Sequence, residues 1–177
     1  MAPHDIFRST SDAGEADRDD RVLALRRELH RAHEELARRI REIRTHIGGR
    51  RLTDDVLLTH CLAFCTALTN HHEGEDRGMF AQLLRERPEL APTIDKLVED
   101  HTLITGILAR VRTLADTAAG TPDPDLEAIG GELDGLGAIM ESHFRYEERA
   151  IGAALDGAVP DTDWPGAVFG FQAASPR

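Results

Sequence analysis

The chain is 177 residues long, enough for one domain with terminal extensions, and its 41% hydrophobic and 30% charged residues are an ordinary globular balance. A formal net charge of −11 argues against general affinity for nucleic acid or for an anionic membrane surface. No run of about 18 or more apolar residues offers a membrane span. The opening MAPHDIFRSTSDAGEADRDD lacks the charged start and apolar stretch of a signal peptide, so the cytoplasm is the expected compartment.

Residues 1–19 are polar and acidic without periodicity, and are expected to form a disordered leader. Four segments with apolar residues at helical spacing follow. The first, about Arg21 to Ile47, carries Val22, Leu25, Leu29, Leu36, Ile40, Ile43 and Ile47 on one stripe and ends at Gly48-Gly49. The second opens with Thr53 or Asp54 as N-cap, carries Leu57, Cys61, Phe64, Leu68, Met79 and Leu83, and stops before Pro88. The third, about Leu90 to Ala119, has Ile94, Leu97, Ile104, Leu108 and Val111. After a Gly/Pro-rich break at 120–124, the fourth, about Asp125 to Leu155, has Ile129, Leu133, Leu136, Met140 and Ile151.

Short connections make neighbours antiparallel, so the expectation is an all-α, up-down-up-down four-helix bundle over residues 20–156. The remainder, residues 157–177, holds Trp164, Pro165, Phe169 and Phe171. That is too apolar for a free tail, and it is expected to pack across the bundle, with one open end as a candidate place. Cys61 and Cys65 share a helix face and read as small buried hydrophobes. Arg38, Arg39, Arg41 and Arg44 read as a solvated helix face.

The chemistry lies in histidines and glutamates placed on the apolar stripes. On a helical wheel His101 falls at the middle of the third stripe and His33 at the inner edge of the first. The second and fourth segments repeat one another: His71-x-x-x-Glu75-Asp76-Arg77 matches His143-x-x-x-Glu147-Glu148-Arg149, each with its Glu almost on the stripe. A carboxylate turned into a bundle core is costly unless it is paired or coordinates a cation, and no Lys or Arg shares these stripes. His and Glu one turn apart can reach one metal ion, or the Glu can bridge two. Mixed imidazole and carboxylate ligation suits iron acting on O₂, and bundle cores are a known home for paired irons. A second register, His72 with Asp76, is open but has no match in the fourth segment.

The stretches HRAHEEL, HHEGEDRGMF, EDHTLITGIL and HFRYEERAI, in that order, resemble the hemerythrin family in its broad bacterial form, the HHE cation-binding domain. The resemblance implies imidazole ligands at His33, His71, His101 and His143, with Glu75 and Glu147 bridging two irons beside an oxo or hydroxo group. Oxygen-carrying members have a second His one turn after the third-helix ligand, where this chain has Thr105. Candidates to supply the missing ligand are His72 first, then a water or open position, His60 or His30; Tyr146 is a candidate for a place near the metal.

The leading functional expectation is a non-haem di-iron protein that binds O₂, NO or peroxide, in oxygen or redox sensing or in iron handling. The alternative is a di-iron enzyme, a catalase-like peroxide disproportionation or an oxygenase or oxidase; a tail closing over a cavity beside the metals would favour it. A zinc or purely structural site comes third, because zinc prefers four ligands and often thiolate. A monomer or dimer is expected, with no nucleic-acid or membrane partner.

Overall fold

The computed structural model describes residues 11–49, 54–119, 121–122, 124–156 and 158–173. Helix α1 runs from Ser11 to Gly49. It therefore begins well before the apolar stripe, and the leader expected to be disordered is helical from Ser11 onward, while residues 1–10 lie outside the described residues. No proline interrupts this stretch. A stripe marks where a helix packs; the helix itself propagates until a breaker stops it.

The second rod is not uniform. Helix α2, Asp54–Gly74, passes through a π-helical turn at Glu75–Met79 into helix α3, Phe80–Glu86. Of the two expected cap residues, Asp54 is the first residue of α2 and Thr53 lies outside the described residues. A π turn inserts an extra residue, so the inward set resumes with Met79, Phe80 and Leu83, all buried. A short 3₁₀ turn, Pro88–Leu90, leads into helix α4, Ala91–Ala118, and helix α5 spans Glu127–Leu155. The Asp125 carboxylate accepts a hydrogen bond from the Glu127 N–H at 3.0 Å and caps α5. Helix α6, Trp164–Phe169, follows, with a closing 3₁₀ turn at Gly170–Ala173.

The rods pack as a ring: α1 against α2 and α5, and α4 against α2 and α5, the arrangement of an up-down-up-down bundle. Among the described residues no helix is long and apolar enough to cross a membrane. The core is split in two. One apolar cluster joins Leu36, Phe64, Leu68, Leu108, Leu133 and Met140, with Cys61 and Cys65 inside it as free, buried thiols. The other joins Leu29, Met79, Leu83, Leu97 and Ile151. Buried histidines and glutamates lie between them.

The C-terminal segment completes the second cluster with Trp164, Val168 and Phe169. It lies across α2, the π turn and α1, along a side seam instead of over an open end. Two glycines permit this: a Cβ on Gly78 would sit 2.3 Å from Trp164 Cβ, and one on Gly74 would sit 2.9 Å from the Ala167 carbonyl carbon. Buried Gln82 holds the approach. Its amide donates to the Val159 carbonyl and to Glu86, and its oxygen accepts from the Trp164 indole N–H, each at 2.7 Å.

A candidate metal centre between the two apolar clusters

His33 comes from α1, His71 and His72 from α2, Glu75 from the π turn, His101 from α4, and His143 and Glu147 from α5. All seven side chains are buried, Glu75 and Glu147 completely. Adjacent His71 and His72 can both face inward because their rod sits at a corner of the ring. His71 turns toward α1, with its ring centroid 5.2 Å from that of His33, and His72 toward α4, stacked on His101 at 3.9 Å.

Potential donor atoms gather in two groups, His72 with His101 and His143, and His33 with His71 and Glu75; within each, one donor atom per residue lies within 4.8 Å of the others. The two carboxylates lie between the groups. Glu75 Oε1 is 3.1 Å from His71 Nε2, and its Oε2 is 3.5 Å from His101 Nε2. Glu147 Oε2 is 3.4 Å from His33 Nε2 and 3.7 Å from His143 Nε2. Donors about 2.1 Å from a common ion are separated by roughly 3.0–3.5 Å, so these spacings fit cation ligation.

Fit is tested most directly by hydrogen-bond accounting. Nε2 of His33 and His71, both ring nitrogens of His72, and both oxygens of Glu75 and of Glu147 have no hydrogen-bond partner among the described residues. Buried polar atoms are ordinarily partnered. A group of such atoms converging on one space is what a cation would satisfy.

The far side of the imidazoles is, by contrast, well provided. His33 Nδ1 lies 2.8 Å from Glu148 Oε1, His101 Nδ1 2.7 Å from Asp76 Oδ1, and His143 Nδ1 3.5 Å from Asp100 Oδ2. His71 Nδ1 donates to the Val168 carbonyl of α6 at 2.9 Å. A proton held at Nδ1 leaves the Nε2 lone pair directed inward, as metal-binding histidines require. Aromatic rings fix the remaining freedom: Phe144 stacks on His33 at 3.9 Å, Phe80 on His101 at 5.6 Å, and Phe171 meets His71 edge-on at 5.8 Å.

Burial pushes the His71 imidazole down to about 3 and that of His72 well below its ordinary range, while His143 moves the same way for the same reason. Burial also opposes a charged His33, but Glu147 and Glu148 outweigh it and raise its pKa. Burial, then the neighbouring charge of Glu147, raises Glu75 well above a usual carboxylate. For Glu147 burial acts upward, yet His33, His143 and His71 together outweigh it and the net direction is down. His71, His72 and His143 are thus held as neutral imidazoles.

The other sequence candidates lie elsewhere. His60 is exposed. His30 is exposed on α1 and pairs with Glu148 at 3.0 Å, outside the layer. Tyr146 lines a surface cleft with Lys96, Asp100 and Arg149 instead of facing the histidines. Thr105 is exposed, since the buried face of α4 beyond His101 runs through Ile104, Ile107 and Leu108. His72 enters the same group as His101 from α2. The His72/Asp76 pairing does not form, because Asp76 is bound to His101. The outer partners Asp76, Asp100, Glu148 and the Val168 carbonyl were not identified from sequence, although Asp76 and Glu148 occupy the same place in the repeated motif.

The domain family described as hemerythrin HHE cation binding domain matches residues 22–155. Neither the curated proteins nor the solved structures contain a match to the chain. The match spans all four rods and every buried histidine of the layer, and the chain belongs to the hemerythrin HHE cation-binding domain family.

Proposed function

We propose that the layer holds two iron ions, one at His72, His101 and His143 and one at His33 and His71, with Glu75 and Glu147 shared between them. The observation that carries this is the convergence of unpartnered nitrogens and carboxylate oxygens in two adjoining groups. Three imidazoles on one side and two on the other leave the second position less crowded, and we place small-ligand uptake there: O₂, NO or peroxide, in sensing or iron handling. Irons bound there supply the redox electrons for such a ligand.

The chain's own residues do the rest. Glu148, Asp76, Asp100 and the Val168 carbonyl orient the rings, and Phe144 and Phe171 keep water from His33 and His71. The cleft beside the C-terminal segment, about 760 Å³, is lined by Asn70, Glu73, Arg77, Thr162 and Trp164 among others, and by none of the seven layer residues. Phe171 stands between that cleft and the His71 ring, 5.8 Å from it, so an organic molecule in the cleft would meet the layer only through this side chain, which favours a small ligand.

Metal analysis with a visible spectrum of the aerobically purified protein tests the reading. About two irons per chain, with charge-transfer absorption toward the violet, is the expected result. Zinc without colour overturns it. Rapid oxygen release on adding hydrogen peroxide would move the function to the catalase-like enzyme.

A further inference from the structure

A second set of converging side chains lies outside the metal layer, on the surface between α1 and α5. Arg26, Arg27 and Arg31 from α1 face Arg145 and Arg149 from α5 across a cleft of about 830 Å³, with His30 and Glu148 completing its lining. Five guanidinium groups in one cleft are unexpected on a chain of net charge −11. Arg38 and Arg39 elsewhere on α1 are bonded to Glu35, and Arg44 to Asp134; three of the five cleft arginines are paired in the same way, and Arg27 and Arg149 are the two that stand apart.

Among the described residues Arg27 has no carboxylate partner, and Arg149 has only the Tyr146 ring, 5.9 Å away. Arg26 lies flat on α5, where a Cβ on Gly152 would come within 3.0 Å of its Nε, and it pairs with Asp156. The partners of Arg31 and Arg145 are Glu28 and Glu141 of their own helices, and these exposed pairs open at little cost. Each guanidinium offers a planar fork that matches a phosphate edge.

Two walls of such forks suit an anion with more than one phosphate. No aromatic side chain other than His30 lines the cleft, so recognition would rest on the phosphates. A compact anion feels the local field, because screening confines it to about 10 Å, whereas a nucleic acid or membrane would also meet the acidic remainder. Glu148 joins the cleft to the interior: one oxygen is 3.0 Å from His30 Nδ1 and the other 2.8 Å from His33 Nδ1.

We propose that this cleft binds a diphosphate group, free or carried by a nucleotide, and that its occupancy is relayed through Glu148 to His33. The relay, unlike the cleft, rests on the metal reading above.

Calorimetry of the full chain as purified, titrated with inorganic pyrophosphate and separately with ADP, tests the site. Saturable binding is expected to weaken roughly tenfold or more in R27Q/R149Q and to be retained in R38Q/R44Q, with thermal melts checking that both variants fold. Pyrophosphate binding as tight as ADP assigns recognition to the phosphates, and binding to ADP alone assigns the carrier as a nucleotide. No heat with either anion, binding equal in R27Q/R149Q, or binding only to nucleic acid or anionic vesicles overturns the proposal. In iron-loaded protein, pyrophosphate is expected to shift the visible spectrum, and an unchanged spectrum at saturation overturns the relay. Should the chain hold no iron, the metal reading fails while calorimetry still decides the cleft.

Discussion

Gly78→Ala sets two calculable effects against each other. In an unobstructed helix the change adds up to about 1 kcal/mol of stability through helix propensity. Here the new Cβ would sit 2.3 Å from Trp164 Cβ and 3.1 Å from its Cγ, a collision with the root of a side chain that cannot simply swing aside. Helix α6 must lift, exposing some of Trp164, Val168 and Phe169, each worth roughly 1.5–3 kcal/mol when fully buried. Losing the burial of even one outweighs the propensity gain, so we expect a net destabilisation of about 1–3 kcal/mol, or roughly 2–10 °C in Tm. Trp164 is the only tryptophan in the chain, so its emission reports docking directly. A red shift and easier acrylamide quenching should accompany the lower Tm. Gly106→Ala is the control: nothing lies within 4 Å of its Cβ position, and it should stabilise slightly. If Gly78→Ala raises Tm as Gly106→Ala does, with Trp164 emission unchanged, the docking argument is refuted.

Other consequences follow from the same geometry. His72→Ala should remove the ion at His101 and His143 and lower metal content by about half, because that group loses one of its three imidazoles; full retention in metal analysis would refute its role. Asp76→Asn should weaken metal retention roughly 10–100-fold in chelator competition, since the 2.7 Å bond to His101 Nδ1 loses its charge. Glu75, whose carboxyl is raised by burial and by Glu147, must give up its proton on metal loading, so uptake should release protons and affinity should fall as pH falls. That acid sensitivity should diminish in Glu75→Gln. Burial holds the Cys61 thiol up to about 12 and Cys65 up to about 11, above their ordinary value of 9.0. The folded chain then keeps protons that the unfolded chain releases. Urea stability should therefore drop above about pH 9, by up to roughly 1.4 kcal/mol per unit per thiol, and a Cys61→Ala/Cys65→Ala protein should lack that share.

The sequence exposed those features that repeat or that offend the apolar pattern. Glu75 and Glu147 stood out because carboxylates on a stripe are costly, and the doubled His-x-x-x-Glu spacing fixed which histidines accompany them. Wheel geometry treats each helix alone. It turns His72, 100° from His71, toward the stripe and makes it the first candidate for an added ligand; the structure adds that its helix occupies a corner and presents two inward sides, one to His33 and one to His101. Thr105 marks a departure from the pattern of oxygen-carrying members one turn after His101, and α4 turns that position to solvent. The outer carboxylates Asp76, Asp100 and Glu148 were unreadable because their partners are on other helices, and the Val168 carbonyl has no side-chain signature at all. The arginine cleft has the same character. The run Arg38 to Arg44 is visible in sequence, while the arginine cleft is assembled from two segments more than a hundred positions apart.

The layer also explains why this bundle needs so much apolar clamping around it. Eight polar atoms of the layer have no partner among the described residues, and an unmet buried group costs roughly 1–3 kcal/mol, which together rivals the whole 5–15 kcal/mol net stability of a domain. Such an arrangement persists only if other packing holds the helices in place and if something satisfies those atoms. The two apolar clusters supply the first, one on each side, and α6 adds Trp164, Val168 and Phe169 to the smaller of them. Cation ligation supplies the second for seven of the eight, since His72 can turn only one ring nitrogen to an ion, and by linkage it stabilises the fold in proportion to the logarithm of metal concentration over Kd. Stability and metal occupancy are therefore one equilibrium in this chain. Since Val168 also orients His71, the C-terminal segment acts on both sides of that equilibrium: loosening it should cost metal affinity as well as Tm.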